Sequence, residues 1–345
     1  MDFYKDLTTE LENYFQMQGF NFDIKEWYPY EISKYELKQY VQRKQINIPL
    51  NQIDSMSSEE IIKKIQEIEE TFKVEDAYDW NRKRRYIPNR LLEIYINLQR
   101  KQLYPCCKRE VHISKELNTR INNKEFSEGV CKAINCIKHE LQNGINVSPR
   151  LSKGARKIGK KSDDTLLYEF GIYHFHLSNI KEANGKSYKR TDELLFVYVP
   201  IFDNKDAYFL NVVDSHADNS VFEDIGLLQL IENNWPDLLD PYAVRNIKNS
   251  SVLSISKNEQ YEEALQKRVN SSITLKDKKE IMGPGLGRMS NGKSVYVKLS
   301  ALSGMKQIAR LENQCKEKMQ ENPNIDFKLK LVNDTFEIEC IQKEL

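Results

Sequence analysis

Two histidines separated by one residue, His174 and His176, sit in Gly171-Ile-Tyr-His-Phe-His-Leu177, a segment rich in aromatic and β-branched residues. On a strand, residues two apart share a face, so both histidines project together with Ile172, while Tyr173, Phe175 and Leu177 point the other way. The second set reads as core, which leaves the histidines on an accessible face. Arg190, with Lys189 before it, precedes a second apolar segment, Leu194 to Val199, and His216 follows a third, Ala207 to Val213. In an antiparallel meander the first and third strands end where the second begins, so His176, Arg190 and His216 are expected to converge with His174 close by. Histidine titrates near neutrality, so two of them can divide the duties of base and acid. An arginine can stabilise charge that develops on a phosphate. The 2′-hydroxyl of RNA is an internal nucleophile, and its cleavage by such a group needs no metal. The same imidazoles, His174, His176 and His216, would alternatively hold zinc or another divalent ion, with Asp214, Asp218 or Glu169 beside them. His112 and His139 fall outside this group and are given no role.

Formal net charge is +1, so the chain as a whole does not announce a polyanion partner, but two local blocks do. Arg82, Lys83, Arg84 and Arg85 form one; Arg150, Lys153, Arg156, Lys157, Lys160 and Lys161 form the other, with no acidic residue between Arg150 and Lys161. Together they are read as a nucleic-acid-binding surface. Gly287-Arg-Met-Ser-Asn-Gly292-Lys293-Ser294 matches the phosphate-loop expression G-x-x-x-x-G-K-[ST]. That loop works only between a buried strand and a helix N-terminus, and here a charged segment precedes it. Val295-Tyr-Val-Lys-Leu299 after it reads as a strand, so a Gly-rich hairpin or exposed loop is expected and no nucleotide site.

Several kinds of element must position these residues. A chain of 345 residues exceeds one ordinary core, and 40% hydrophobic with 30% charged residues is a globular balance. The first third reads as helical: Leu7, Leu11, Tyr14 and Phe15 repeat at helix spacing, Ile61 to Ile68 repeat again, and a third helix follows Pro88. Phe126, Val130, Ile134, Ile137 and Leu141 predict a helix over 125–143, stopped by Gly144. The three apolar segments predict adjacent antiparallel strands, covered on one side by a helix through Ile225, Leu228 and Ile231. The last part holds a charged helix around Met305 to Met319 and a strand from Phe336 to Cys340. The fold class is therefore α+β: a helical N-terminal region over 1–115, a central domain over 116–250 with an antiparallel sheet flanked by helices, and a small α+β appendage over 251–345. Cys106, Cys107, Cys131, Cys136, Cys315 and Cys340 lack paired zinc-knuckle spacing and read as reduced thiols. Neither a secretory signal nor a membrane span is visible, so a soluble cytoplasmic protein is expected.

The stretch from 126 to 218 resembles the RelE-like toxin ribonucleases and their wider barnase-like group. The similarity lies in helices before an antiparallel sheet, a strand of the form Gly171 to Leu177, a basic turn at Lys189-Arg190, then Leu194 to Val197 and Tyr208 to Val213. It implies a metal-independent endoribonuclease of toxin or phage-defence type, without cofactor, with RNA as substrate and a protein partner or inhibitor. The alternatives are a metal-dependent enzyme on the His-x-His site and a non-catalytic module that binds nucleic acid or protein.

Overall fold

The computed structural model describes residues 1–20, 38, 41–42, 48–56, 60, 64, 77–157, 164–183, 185–203, 205–214, 224–244, 253–267, 271–276, 278–289 and 293–342. It is a mixed α and β structure with a central four-stranded sheet, as the composition and patterning imply. The chain divides into two compact units, one formed by Met1–Leu92 with Gly304–Leu345 and the other by Glu93–Ser303. Among the described residues no helix is long and apolar enough to cross a membrane. The six cysteines are free thiols.

The unit Glu93–Ser303 is organised by strands β1 (Glu110–Ile113), β2 (Ile172–His176), β3 (Glu193–Tyr198) and β4 (Asp206–Asp214), in the spatial order β1-β4-β3-β2. The three expected strands form the antiparallel meander β2-β3-β4, with Tyr173, Phe175 and Leu177 buried. They pack with Leu195, Val197 and Phe209 against Val130, Ile134, Ile137 and Leu141 of helix Glu128–Gln142. Ser127 opens that helix by accepting the Val130 N–H at 3.3 Å. Gly171 has φ +70°, a left-handed conformation that terminates helix Thr165–Phe170 and turns the chain into β2.

The opposite face of the sheet is not open. Ile172, Leu194, Phe196, Tyr198, Tyr208 and Leu210 form a second apolar layer, closed by Leu227, Leu228 and Ile231 of helix Gly226–Asn234 and by Tyr261, Ile273 and Ile281. Tyr261 belongs to helix Asn258–Lys267, and Ile273 and Ile281 to the small sheet of β5 (Leu253–Ile255), β6 (Ser271–Thr274) and β7 (Glu280–Ile281). The expectation of an accessible histidine face is thus corrected. His174 and His176 alternate with this core and are themselves partly buried.

Two further corrections concern element type. The region expected to be wholly helical up to 115 contains β1, which pairs in parallel with β4, Glu110 opposite Asp206 and His112 opposite Tyr208. Val295 to Leu299 is not a strand but the start of helix Val295–Glu321. Its buried residues Val297, Ala301, Met305, Ile308 and Cys315 recur at helical spacing, and that stripe outweighs the β preference of the short Val-Tyr-Val run.

The unit containing both chain ends joins helix Phe3–Met17 to the hairpin of β8 (Ile325–Val332) and β9 (Thr335–Gln342). Phe3, Leu7, Leu11 and Phe15 make the buried stripe of this helix. Its carboxylates cap the strand edge: Asp6 Oδ2 accepts the Leu329 N–H at 3.0 Å and Glu10 Oε2 the Leu331 N–H at 3.1 Å. These bonds satisfy donors that an edge strand would otherwise leave open to further pairing. Of the expected helix through 61–68 only Lys64 is among the described residues, and it is helical.

Candidate functional site

The register across the meander sets His176 opposite Leu194 and Leu194 opposite Val213. The end of β2, the start of β3 and the end of β4 therefore share one end of the sheet. Arg190 lies there, exposed, three residues before β3. His216, two residues beyond β4, lies outside the described residues.

Thr191 builds the setting of His176. The imidazole Nδ1 lies 3.3 Å from both the backbone N and the backbone O of Thr191. A neutral ring accepts the Thr191 N–H there, and an imidazolium donates its Nδ1–H to the Thr191 carbonyl. Both protonation states are thereby accommodated on one nitrogen, Nδ1. The Thr191 hydroxyl secures the turn by accepting the Leu177 N–H at 2.8 Å and donating to the Glu193 carbonyl at 2.7 Å. His174 sits deeper, with 13% of its side chain exposed and Nδ1 3.8 Å from Asp164 Oδ2. That carboxylate also caps helix Thr165–Phe170, its Oδ1 accepting the Leu167 N–H at 3.0 Å.

The basic blocks divide sharply. Arg150 is only 2% exposed, and its guanidinium is consumed inside the unit. It forks onto Glu140 with bonds of 2.6 and 2.8 Å, donates to the Ser178 carbonyl at 2.9 Å and lies 4.2 Å from the Tyr188 ring centre. The expectation that it meets a phosphate is therefore corrected to an anchoring role. Lys153 is exposed and paired with Glu182 at 3.0 Å, Arg156 reaches Lys186 O and Ser187 Oγ, and Lys157 is exposed. Arg82, Lys83, Arg84 and Arg85 fall on helix Ala77–Lys101, whereas Lys160 and Lys161 lie outside the described residues.

The phosphate-loop lookalike is used for packing. Gly285 N–H donates to the Glu169 carbonyl at 2.8 Å and Gly287 N–H to the Tyr168 carbonyl at 3.0 Å, satisfying the end of helix Thr165–Phe170. A Cβ on Gly283 or Gly285 would overlap those same carbonyls, so glycine is required by close approach of two backbones. Ser294 is buried and receives Arg100 Nη1 at 2.7 Å. Arg288 Nε donates to Glu169 Oε1 at 2.8 Å, while burial raises the carboxyl's pKa above the ordinary range and the Arg288 contact opposes that rise. A helix does follow this loop, contrary to expectation; Gly287 N–H is taken by Tyr168 and Met289 N–H donates to the Lys293 carbonyl at 2.8 Å, while Ser290, Asn291 and Gly292 lie outside the described residues. Titration of magnesium-ATP or magnesium-GTP is expected to show no saturable micromolar binding.

A second group was not anticipated. Glu110, His112 and Asp206 present donor atoms that all lie within 4.8 Å of one another. Parallel pairing puts Glu110 opposite Asp206, and the two-residue repeat brings His112 onto the same face as Glu110. His112 Nε2 lies 3.0 Å from Asp206 Oδ1, and its ring stacks on Tyr208 with centres 4.8 Å apart and planes at 19°. Trp235 meets Tyr208 edge-on at 4.8 Å. Burial, then the charges of Asp206, Asp203 and Glu110, push the Tyr208 hydroxyl up to about 12. The signal in the sequence was Glu110-Val-His112, an alternation too short to read as a strand beside the helical pattern preceding it.

No protein-family model matches the chain, and neither a curated protein nor a solved structure matches it.

Proposed function

We propose that the chain is a metal-independent endoribonuclease that works at the β2 end of the sheet. The observation carrying this reading is the register that brings the exits of β2 and β4 and the entrance of β3 together, with His176 held by Thr191. In this reading His176 acts through Nε2, and His216 is its partner, one serving as general acid and the other as general base. Arg190 stabilises charge on the phosphorane-like transition state through its planar donor fork. His174, deeper and beside Asp164, supports the site rather than transferring a proton.

The substrate is RNA because its 2′-hydroxyl supplies the nucleophile, and the leaving 5′-oxygen takes the proton from the acid. Lys153, Arg156 and Lys157 supply basic contacts for the backbone, which makes affinity fall steeply with added salt. The toxin or phage-defence role follows from the RelE-like resemblance of 126–218. The test is cleavage of a single-stranded RNA by the full chain in EDTA. Products ending in 2′,3′-cyclic phosphate, lost in His176→Ala and His216→Ala, support the proposal. No cleavage, with no response of RNA affinity to replacement of Lys153, Arg156 and Lys157, favours a protein-binding module instead.

A further inference from the structure

We propose that Glu110, His112 and Asp206 form a divalent-metal site on the β1/β4 edge of the sheet, with Mn²⁺, Fe²⁺ or Zn²⁺ as the class of ion. Two carboxylates and one imidazole suit such borderline ions better than the all-oxygen shells preferred by Mg²⁺ and Ca²⁺. The geometry comes close to a common centre, and rotation of the exposed Glu110 side chain can complete it. A six-coordinate ion with bonds of about 2.1 Å places neighbouring donors roughly 3.0 Å apart, the separation of His112 Nε2 from Asp206 Oδ1 is 3.0 Å, and the third donor lies within 4.8 Å of both. A metal would take the place of the hydrogen bond between that nitrogen and oxygen.

Three features prepare the group for a cation. The donors arise from paired strands rather than loops, and stacking on Tyr208 presets the His112 ring, so little freedom remains to be lost on binding. Two carboxylates flank the imidazole, a donor set that attracts a cation. Arg109, next to Glu110, is buried and sends Nη1 and Nη2 to the carbonyls of Cys107 and Pro105, not to these carboxylates. Three protein donors leave coordination positions for water or a small ligand, and Tyr208 and Trp235 form an aromatic wall next to them.

This site does not depend on the ribonuclease reading. Asp206 opens β4 whereas Val213 lies beside the histidine end, a separation of about 23 Å at the usual strand rise of ~3.3 Å per residue. The experiment is isothermal titration of the metal-free full chain with MnCl₂ and with ZnCl₂, repeated on Glu110→Gln and His112→Gln. Glu110 is exposed, so its variant keeps the fold, and thermal unfolding without metal checks both proteins. The expected result is one equivalent bound by wild type with affinity at least tenfold weaker in each variant. Wild type that takes up neither ion at millimolar concentration overturns the proposal, as does binding that either variant leaves unchanged.

Discussion

At the end of the sheet where β2 stops, His176 is held by Thr191, fifteen positions away, across the turn between two antiparallel strands. At the opposite end His112 is held by Asp206, ninety-four positions away, across a parallel pair. Antiparallel neighbours can be joined by a short connection, but parallel ones need a long crossover. The first histidine therefore sits in a locally specified turn whose hydroxyl and backbone groups are all engaged. The second depends on two distant segments meeting in register, and its partners are a third exposed. The difference teaches that proximity in sequence governs how readily the setting of a polar group can be recognised.

The largest expected effect tests the firmly held end. His176→Ala should lower RNA cleavage by about a hundredfold to ten-thousandfold, the usual contribution of one general acid or base. Single-turnover assays in EDTA measure it, and unchanged cleavage would remove His176 from the proposed chemistry. Arg190→Lys should also slow the reaction, with a smaller loss, because the charge survives but the paired donors do not.

Next comes the bracket itself. Thr191→Val preserves shape and the backbone groups facing His176 but strands the buried Leu177 N–H, whose only replacement is an apolar methyl. A cost of about 1–3 kcal/mol in urea unfolding is expected, with a smaller loss of cleavage per folded molecule than in His176→Ala. A cleavage defect equal to that of His176→Ala would mean that the hydroxyl, not the backbone, positions the ring.

The smallest effect belongs to the opposite end. His112→Phe keeps the stack on Tyr208 and removes the contact with Asp206, each partner being about one-third exposed. Without metal it should change stability by roughly 0–1 kcal/mol, since solvent screens such a pair. A loss several times larger in the metal-free protein would show that the far end is as tightly built as the near one.

Much of this arrangement was legible in particular residues. Tyr173, Phe175 and Leu177 alternate with Ile172, His174 and His176, and the strand and its buried odd-numbered face follow from that alternation. Val130, Ile134, Ile137 and Leu141 likewise announced their helix. Arg150 was misleading because a basic run looks the same whether its guanidinium meets solvent or, as here, is buried against Glu140. Val295 to Leu299 misled in another way, since five residues of β-prone sequence cannot report the helical stripe that continues to Cys315.

By itself the amino-acid sequence determined the α+β character, the β2-β3-β4 meander and the end of the sheet at which Arg190 and His176 emerge. These are consequences of backbone periodicity and short connections, which operate within a few residues of each side chain. Only the tertiary structure decided that the histidine face is closed by Leu228, Tyr261 and Ile281, that Gly285 is a packing contact on Tyr168, and that Glu110 and His112 meet Asp206. Each of those requires segments dozens of residues apart to settle against one another. Their pairing depends on the apolar area buried by the whole unit against the entropy of closing long loops, a balance that no local pattern contains.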